Sequence, residues 1–213
     1  MRILHIVPAA FEYFEVIRKE AFDLADSLNA LGFESELITL QYSPVSRRFE
    51  KKVAEETKKR VNFERNYSED EILEKFNQHD IIHLHIPFLG MGKKILKFKK
   101  NNPQKKFVIT LYENLPYVDF FTIIIWLYNS YYVKRLINLA DFVVAGSEQI
   151  FRRSGGFSYL KDEKKFVPLD SFVEFILENN FDLTKKINNL KLNKSNIHTA
   201  VAYGELYRLL GGE

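Results

Sequence analysis

His83 and His85 flank Leu84 in the stretch His79-Asp80-Ile81-Ile82-His83-Leu84-His85. Residues two apart on a strand share a face, so both imidazoles point the same way from a segment that is otherwise apolar. An imidazole in that position can move a proton, bond a substrate hydroxyl, or bond a backbone carbonyl as a neutral core group. Two histidines without a third ligand do not make a zinc site, and no metal is expected. His85 is nearer the carboxyl end of its segment and is the candidate for substrate contact. Tyr112 and Glu113 close the next β-prone run, where a carboxylate would orient a hydroxyl or serve as a base. Ser147 and Glu148 follow Gly146; this is either an anion site at a helix start or an ordinary helix cap. Pro8-Ala9-Ala10 opens the loop after the first run. Neither a Gly-x-Gly-x-x-Gly nor a Walker sequence occurs, which disfavours nicotinamide cofactors and P-loop chemistry, and no cofactor is expected.

These residues need a frame. Residues 2–7 form a short β-prone run, and Ile17, Ala21, Leu24, Leu28 and Leu31 then recur at the spacing of one helical face, with Gly32 placed to end that helix. A strand at 36–40 completes a βαβ unit with a right-handed crossover. Residues 43–70 are half charged, fourteen of twenty-eight, and read as an exposed helix with an edge strand near Val61. A short helix at 69–77 is followed by strand 80–86, helix 90–101, strand 106–112, helix 117–139 and strand 141–146. That alternation predicts a Rossmann-like, doubly wound α/β domain over residues 1–160. Ligands bind beyond the carboxyl ends of such strands, which selects the loops at 8–13, 87–92, 112–117 and 147–151. Residues 161–213 change character: a short strand at 165–168, then helices at 170–178, 183–190 and 195–210, form a helical extension.

The chain has 213 residues, 46% of them hydrophobic and 28% charged, enough for one substantial core and a small appendage. Cysteine is absent, and the apolar opening stops at Pro8, short of a signal peptide, so a soluble or peripheral protein in a cytoplasmic setting is expected. A net charge of +3 is too small to imply nucleic acid. Locally, Lys93, Lys94, Lys97, Lys99, Lys100, Lys105 and Lys106 form either a solvated helix face or a surface for phosphates and lipid headgroups. The segment from Phe120 to Arg135 is apolar nearly all round a helix, and either packs on the sheet or leans on a partner or a membrane interface.

In order and spacing, four segments resemble the amino-terminal domain of family-four, GT-B fold glycosyltransferases. They are residues 1–39, the His79–His85 stretch, the strand at 107–112, and Ala140-Asp141-Phe142-Val143-Val144-Ala145-Gly146-Ser147. The resemblance implies an acceptor-binding half-domain in which Pro8, Ala9, Ala10, His85, Tyr112, Glu113 and Ser147 meet a sugar or a lipid-linked acceptor. Family members carry Gly-Gly in the first loop and a histidine where this chain has Tyr112, and they have a second, donor-binding domain that is not found here. Residues 168–210 resemble the family's final helices, which cross back to the first domain. The chain thus reads as a half-domain needing a donor-binding partner chain to be active, or as a non-catalytic binding protein. An aromatic-rich mouth of Phe11, Tyr13, Phe14, Pro87, Phe88, Tyr112 and Tyr117 would suit such a partner or a homodimer.

Overall fold

Six apolar runs become strands: β1 (Arg2–Val7), β2 (Glu34–Thr39), β3 (Ile81–Ile86), β4 (Lys106–Leu111), β5 (Phe142–Ala145) and β6 (Phe166–Pro168). In the computed structural model they form one all-parallel sheet in the order β2-β1-β3-β4-β5-β6. Residues 1–8, 15–39, 69–87, 91–112, 120–154, 159–179 and 194–212 are described. The elements expected between 43 and 68, the helix at 183–190, and Phe11, Tyr13, Phe14, Phe88 and Tyr117 of the aromatic mouth lie outside them.

Helices cover both faces, because β1, β3 and β4 are apolar on both sides and a parallel sheet must be buried twice. On one face, α2 (Glu69–Gln78), α3 (Gly92–Asn101), α4 (Phe120–Leu139) and α5 (Glu148–Arg153) close a core around Leu4, Ile82, Leu84, Phe107 and Ile109. On the other, α1 (Glu15–Ala30) and the last helix, α7 (Lys194–Gly211), lie over Ile3, Ile81, Val108 and Val144. The order of strands reverses between β1 and β3, the switch point of a doubly wound sheet. The expected α/β class and its carboxyl-terminal helix packed back on the sheet are therefore present.

The α1 stripe is buried as its spacing predicts, through Ile17, Ala21, Leu24 and Leu28. Gly32 ends the helix at φ 91. Its N–H donates to the carbonyl of Asn29 and that of Phe33 to Leu28, the paired bonds that a left-handed cap residue allows. At the far end of the chain α6 (Leu169–Asn179) and α7 pack together through Ile176, Ile197 and Val201. From α7, Ile197, Val201, Leu206 and Tyr207 are buried. Leu210 packs at the margin, whereas Leu209 is 65% exposed. The helix thus packs through Ile197, Val201, Leu206, Tyr207 and Leu210.

The lysine run divides by role. Lys99 is buried and donates to the Asp141 carboxylate at 2.9 Å and to the carbonyl of Lys105 at 2.6 Å. Lys105 donates to the carbonyls of Asn77 and His79, satisfying the end of α2. Lys93, Lys97 and Lys100 are exposed.

Candidate functional site

The face beneath α1 and α7 begins apolar at the amino ends of the strands and turns polar toward their carboxyl ends. Strand alternation puts His5, His83, His85 and Thr110 on it, and the register sets His5 beside His83 and His85 beside Thr110. All three histidines are completely buried. His5 comes from β1 and the other two from β3, so they straddle the switch point. The rings of His83 and His85 lie 4.2 Å apart, and His5 is 4.9 Å from His83.

Hydrogen bonds join these groups in two chains. In the first, Nδ1 of His5 and Nε2 of His85 share a proton at 3.0 Å, and Nδ1 of His85 meets the Tyr112 hydroxyl at 2.9 Å. The second runs from the Tyr207 hydroxyl to Nδ1 of His83 at 2.7 Å, from Nε2 of His83 to Oγ1 of Thr110 at 2.7 Å, and on to the Tyr203 hydroxyl at 2.6 Å. Two helical tyrosines, one turn apart on α7, thereby finish a network begun on the strands. Each contact holds one proton. If Tyr112 donates inward, His5 ends the first chain with an Nε2–H that has no acceptor; in the reverse direction it ends with a bare lone pair. Either way Nε2 of His5 is buried without a partner among the described residues.

Burial fixes the charge of this layer. Loss of water is the main force pushing all three imidazoles below their ordinary value, His5 to about 3. Neighbouring imidazoles push His83 and His85 the same way, as His79 does His5. Burial likewise drives the Tyr112 hydroxyl well above its ordinary value, with Tyr203 and the Glu20 carboxylate adding to it. The layer is therefore neutral, and a proton can be handed along it only by reversing each chain as a whole.

His5, His83 and His85 present ligand atoms within 4.8 Å of one another. The third imidazole that was missing from the sequence pattern is thus supplied by the pairing of β1 with β3. Five of the six ring nitrogens are already hydrogen-bonded, both of His83 and both of His85 among them, so a metal held by all three rings would have to break at least one bond of each of those two. The network also has a structural test. Thr110→Val keeps the shape of the side chain but strands Nε2 of His83 and the Tyr203 hydroxyl, which should cost about 1–3 kcal/mol for each group. Urea unfolding measures this, and an unchanged midpoint would exclude Thr110 from the chain of bonds.

Of the sequence candidates, Pro8, His85, Tyr112 and Ser147 are described, while Ala9, Ala10 and Glu113 lie outside the described residues. Pro8 is buried at the end of β1, beside the switch point. His85 and Tyr112 are brought together. Ser147 follows β5, two strands from β3, where its hydroxyl accepts the N–H of Ile150 at 3.2 Å and caps α5. Its partners are local, as in an ordinary cap. The sequence reading missed His5, Thr110, Tyr203 and Tyr207. For His5 and Thr110 a signal existed, since each is a polar residue inside an apolar strand.

No protein-family model and no curated protein matches the sequence. Among solved structures, the chain is similar to an alpha-glucosyltransferase in complex with UDP and a 13-mer DNA containing a central A:G mismatch, at 15% identity and a TM-score of 0.45. The match covers 72% of this chain and 39% of that one, so the chain spans about two fifths of its length.

Proposed function

We propose that this chain is the acceptor-binding half of a GT-B-like glycosyltransferase, acting with a separate chain that binds the donor. The observation that carries this is α7, which returns from the carboxyl end of the chain to the sheet through Ala200, Tyr203, Leu206 and Tyr207, as the resemblance to family-four enzymes anticipates. The acceptor site is at the carboxyl ends of β1, β3 and β4, which carry Pro8, His85 and Tyr112; Ala9, Ala10 and Glu113 belong to the same proposal but lie outside the described residues. Tyr112 is half-buried, and its hydroxyl is committed to His85. A sugar there would meet ring carbons and stack on them, with His85 holding the ring in place. Ser147 forms the outer margin.

A second role, non-catalytic glycan or partner binding, is favoured by one feature: the three imidazoles are wholly buried and no group among them is placed to take a proton from a bound hydroxyl. Co-purification from the native cell separates the two. A donor-binding chain recovered with this one supports the transferase half, and a second copy or an unrelated glycoprotein supports the other.

The purified chain alone should bind nucleotide-sugars no more tightly than millimolar and should transfer no sugar. Calorimetry and a donor-hydrolysis assay check this. Robust turnover by the single chain would overturn the two-chain proposal.

A further inference from the structure

We propose that the outer face of α3 and α4 docks this protein on an anionic lipid bilayer. α4 buries Val133, Leu136, Ile137 and, just past its end, Ala140, the spacing of one helical face. Another face carries Ile123, Leu127 and Tyr131, exposed by 43%, 55% and 57%, and Trp126, on the border of the buried stripe but nearer the start of the helix, is 47% exposed. Four large apolar side chains exposed within nine residues form a patch that water disfavours. It does not belong to the core, and it is continuous with charge. On the same helix Lys134 and Arg135 follow, the Arg135 guanidinium lying 3.9 Å over the Tyr131 ring, where apolar stripe and cations meet.

A groove of about 530 Å³ opens beside this junction, with Lys100, Lys134, Arg135 and Lys161 around it and no carboxylate among the described residues of its lining. Lys93, Lys97 and Lys100 extend the positive surface along one exposed side of the neighbouring α3. Neither helix contains an aspartate or a glutamate. Near-neutral overall charge therefore hides an excess of cations along these two helices. Four cations around a groove suit phosphate headgroups, and Trp and Tyr beside aliphatic side chains suit the headgroup–acyl boundary, into which such a face sinks by several Å. No helix among the described residues is long and apolar enough to cross a membrane, and α4 is tied to the sheet along its core face, so it would lie on the bilayer.

The docking is independent of whether the strand ends bind an acceptor. Trp126 is the chain's single tryptophan and reports on it directly. The intact protein is mixed with phosphatidylcholine vesicles, with and without a third of phosphatidylglycerol, and followed by flotation and tryptophan emission. Anionic vesicles should float the protein and shift Trp126 emission to the blue, and neutral vesicles should do neither. Lys134→Glu with Arg135→Glu should weaken binding on the order of 25-fold or more, from about fivefold per lost charge. Leu127→Ser with Tyr131→Ser should weaken it at least tenfold and abolish the blue shift. Both pairs are exposed, and melting curves matching the wild type show that the fold is kept. No flotation, or flotation without a blue shift, would overturn the proposal. So would loss of self-association in the Leu127, Tyr131 variant without any vesicle effect, since the face would then join two copies of the chain.

Discussion

Acidification from neutrality to about pH 4.5 should strip this domain of most of its stability. His5, His83 and His85 are neutral when folded, each with a pKa lowered from 6.5 by burial, but in the unfolded chain they titrate near the ordinary value. Between those limits the unfolded chain takes up protons that the folded one refuses. Stability is thus complete above about pH 6.5 and falls as the pH drops below it. The loss is about 1.4 kcal/mol per pH unit for each histidine, or roughly 4 kcal/mol per unit for three. Set against a total of about 5–15 kcal/mol for a domain, the roughly 8 kcal/mol lost between pH 6.5 and 4.5 is enough to unfold one in the lower half of that range. Glu36 acts in a lower window. Its pKa is held down to about 2, first by the His79 hydrogen bond and then by Lys75, so its contribution is lost only as the pH falls below the ordinary carboxylate value of 4.5. Urea titrations at half-unit steps between about pH 7 and 4.5 read the slope. A slope of one proton or less would mean that the three rings are hydrated, and the sealed layer would be refuted.

Removal of residues 195–213 should abolish the folded state and not merely trim it. The truncation strips Tyr203, Leu206 and Tyr207 from the sheet and Ile197 and Val201 from α6, five side chains each at least 95% buried. At about 1.5–3 kcal/mol apiece the loss is on the order of 10 kcal/mol, comparable with the whole stability of a domain. It also opens the histidine layer to water, takes the Tyr207 hydroxyl from Nδ1 of His83 and takes the Tyr203 hydroxyl from Thr110. Expected signs are loss of the cooperative urea transition and of near-ultraviolet circular dichroism. A milder form is Leu206→Ala, at about 2–5 kcal/mol. A truncated chain that still unfolds cooperatively would show α7 to be an accessory.

The frame was legible because it is written locally. The alternation of apolar runs and helical stripes predicted the parallel sheet, the Gly32 cap needed only its neighbours, and the period of two put His83 and His85 on one face. What was hidden depends on pairing across the chain. His5 joins the cluster because β1 lies against β3, with 80 residues between His5 and His85. Nothing in the spacing of Tyr203 and Tyr207 announces that they bond Thr110 and His83. Lys99 and Lys93 look alike in the sequence, yet one turns inward because Asp141, brought up by the next strand, accepts its charge. The apolar helix was ambiguous for another reason: a segment hydrophobic on all sides does not say which side meets the sheet.

The cover that α7 provides also has a timetable. The Tyr207 hydroxyl closes on His83 across 124 residues of sequence, and Tyr203 on Thr110 across 93. A ribosome therefore releases all six strands while their polar face is still bare, and the native layer can be sealed only after the helix has cleared the exit tunnel. Contacts this distant form slowly, so the nascent sheet should spend an interval wet, loosely packed and dependent on whatever holds newly made chains apart.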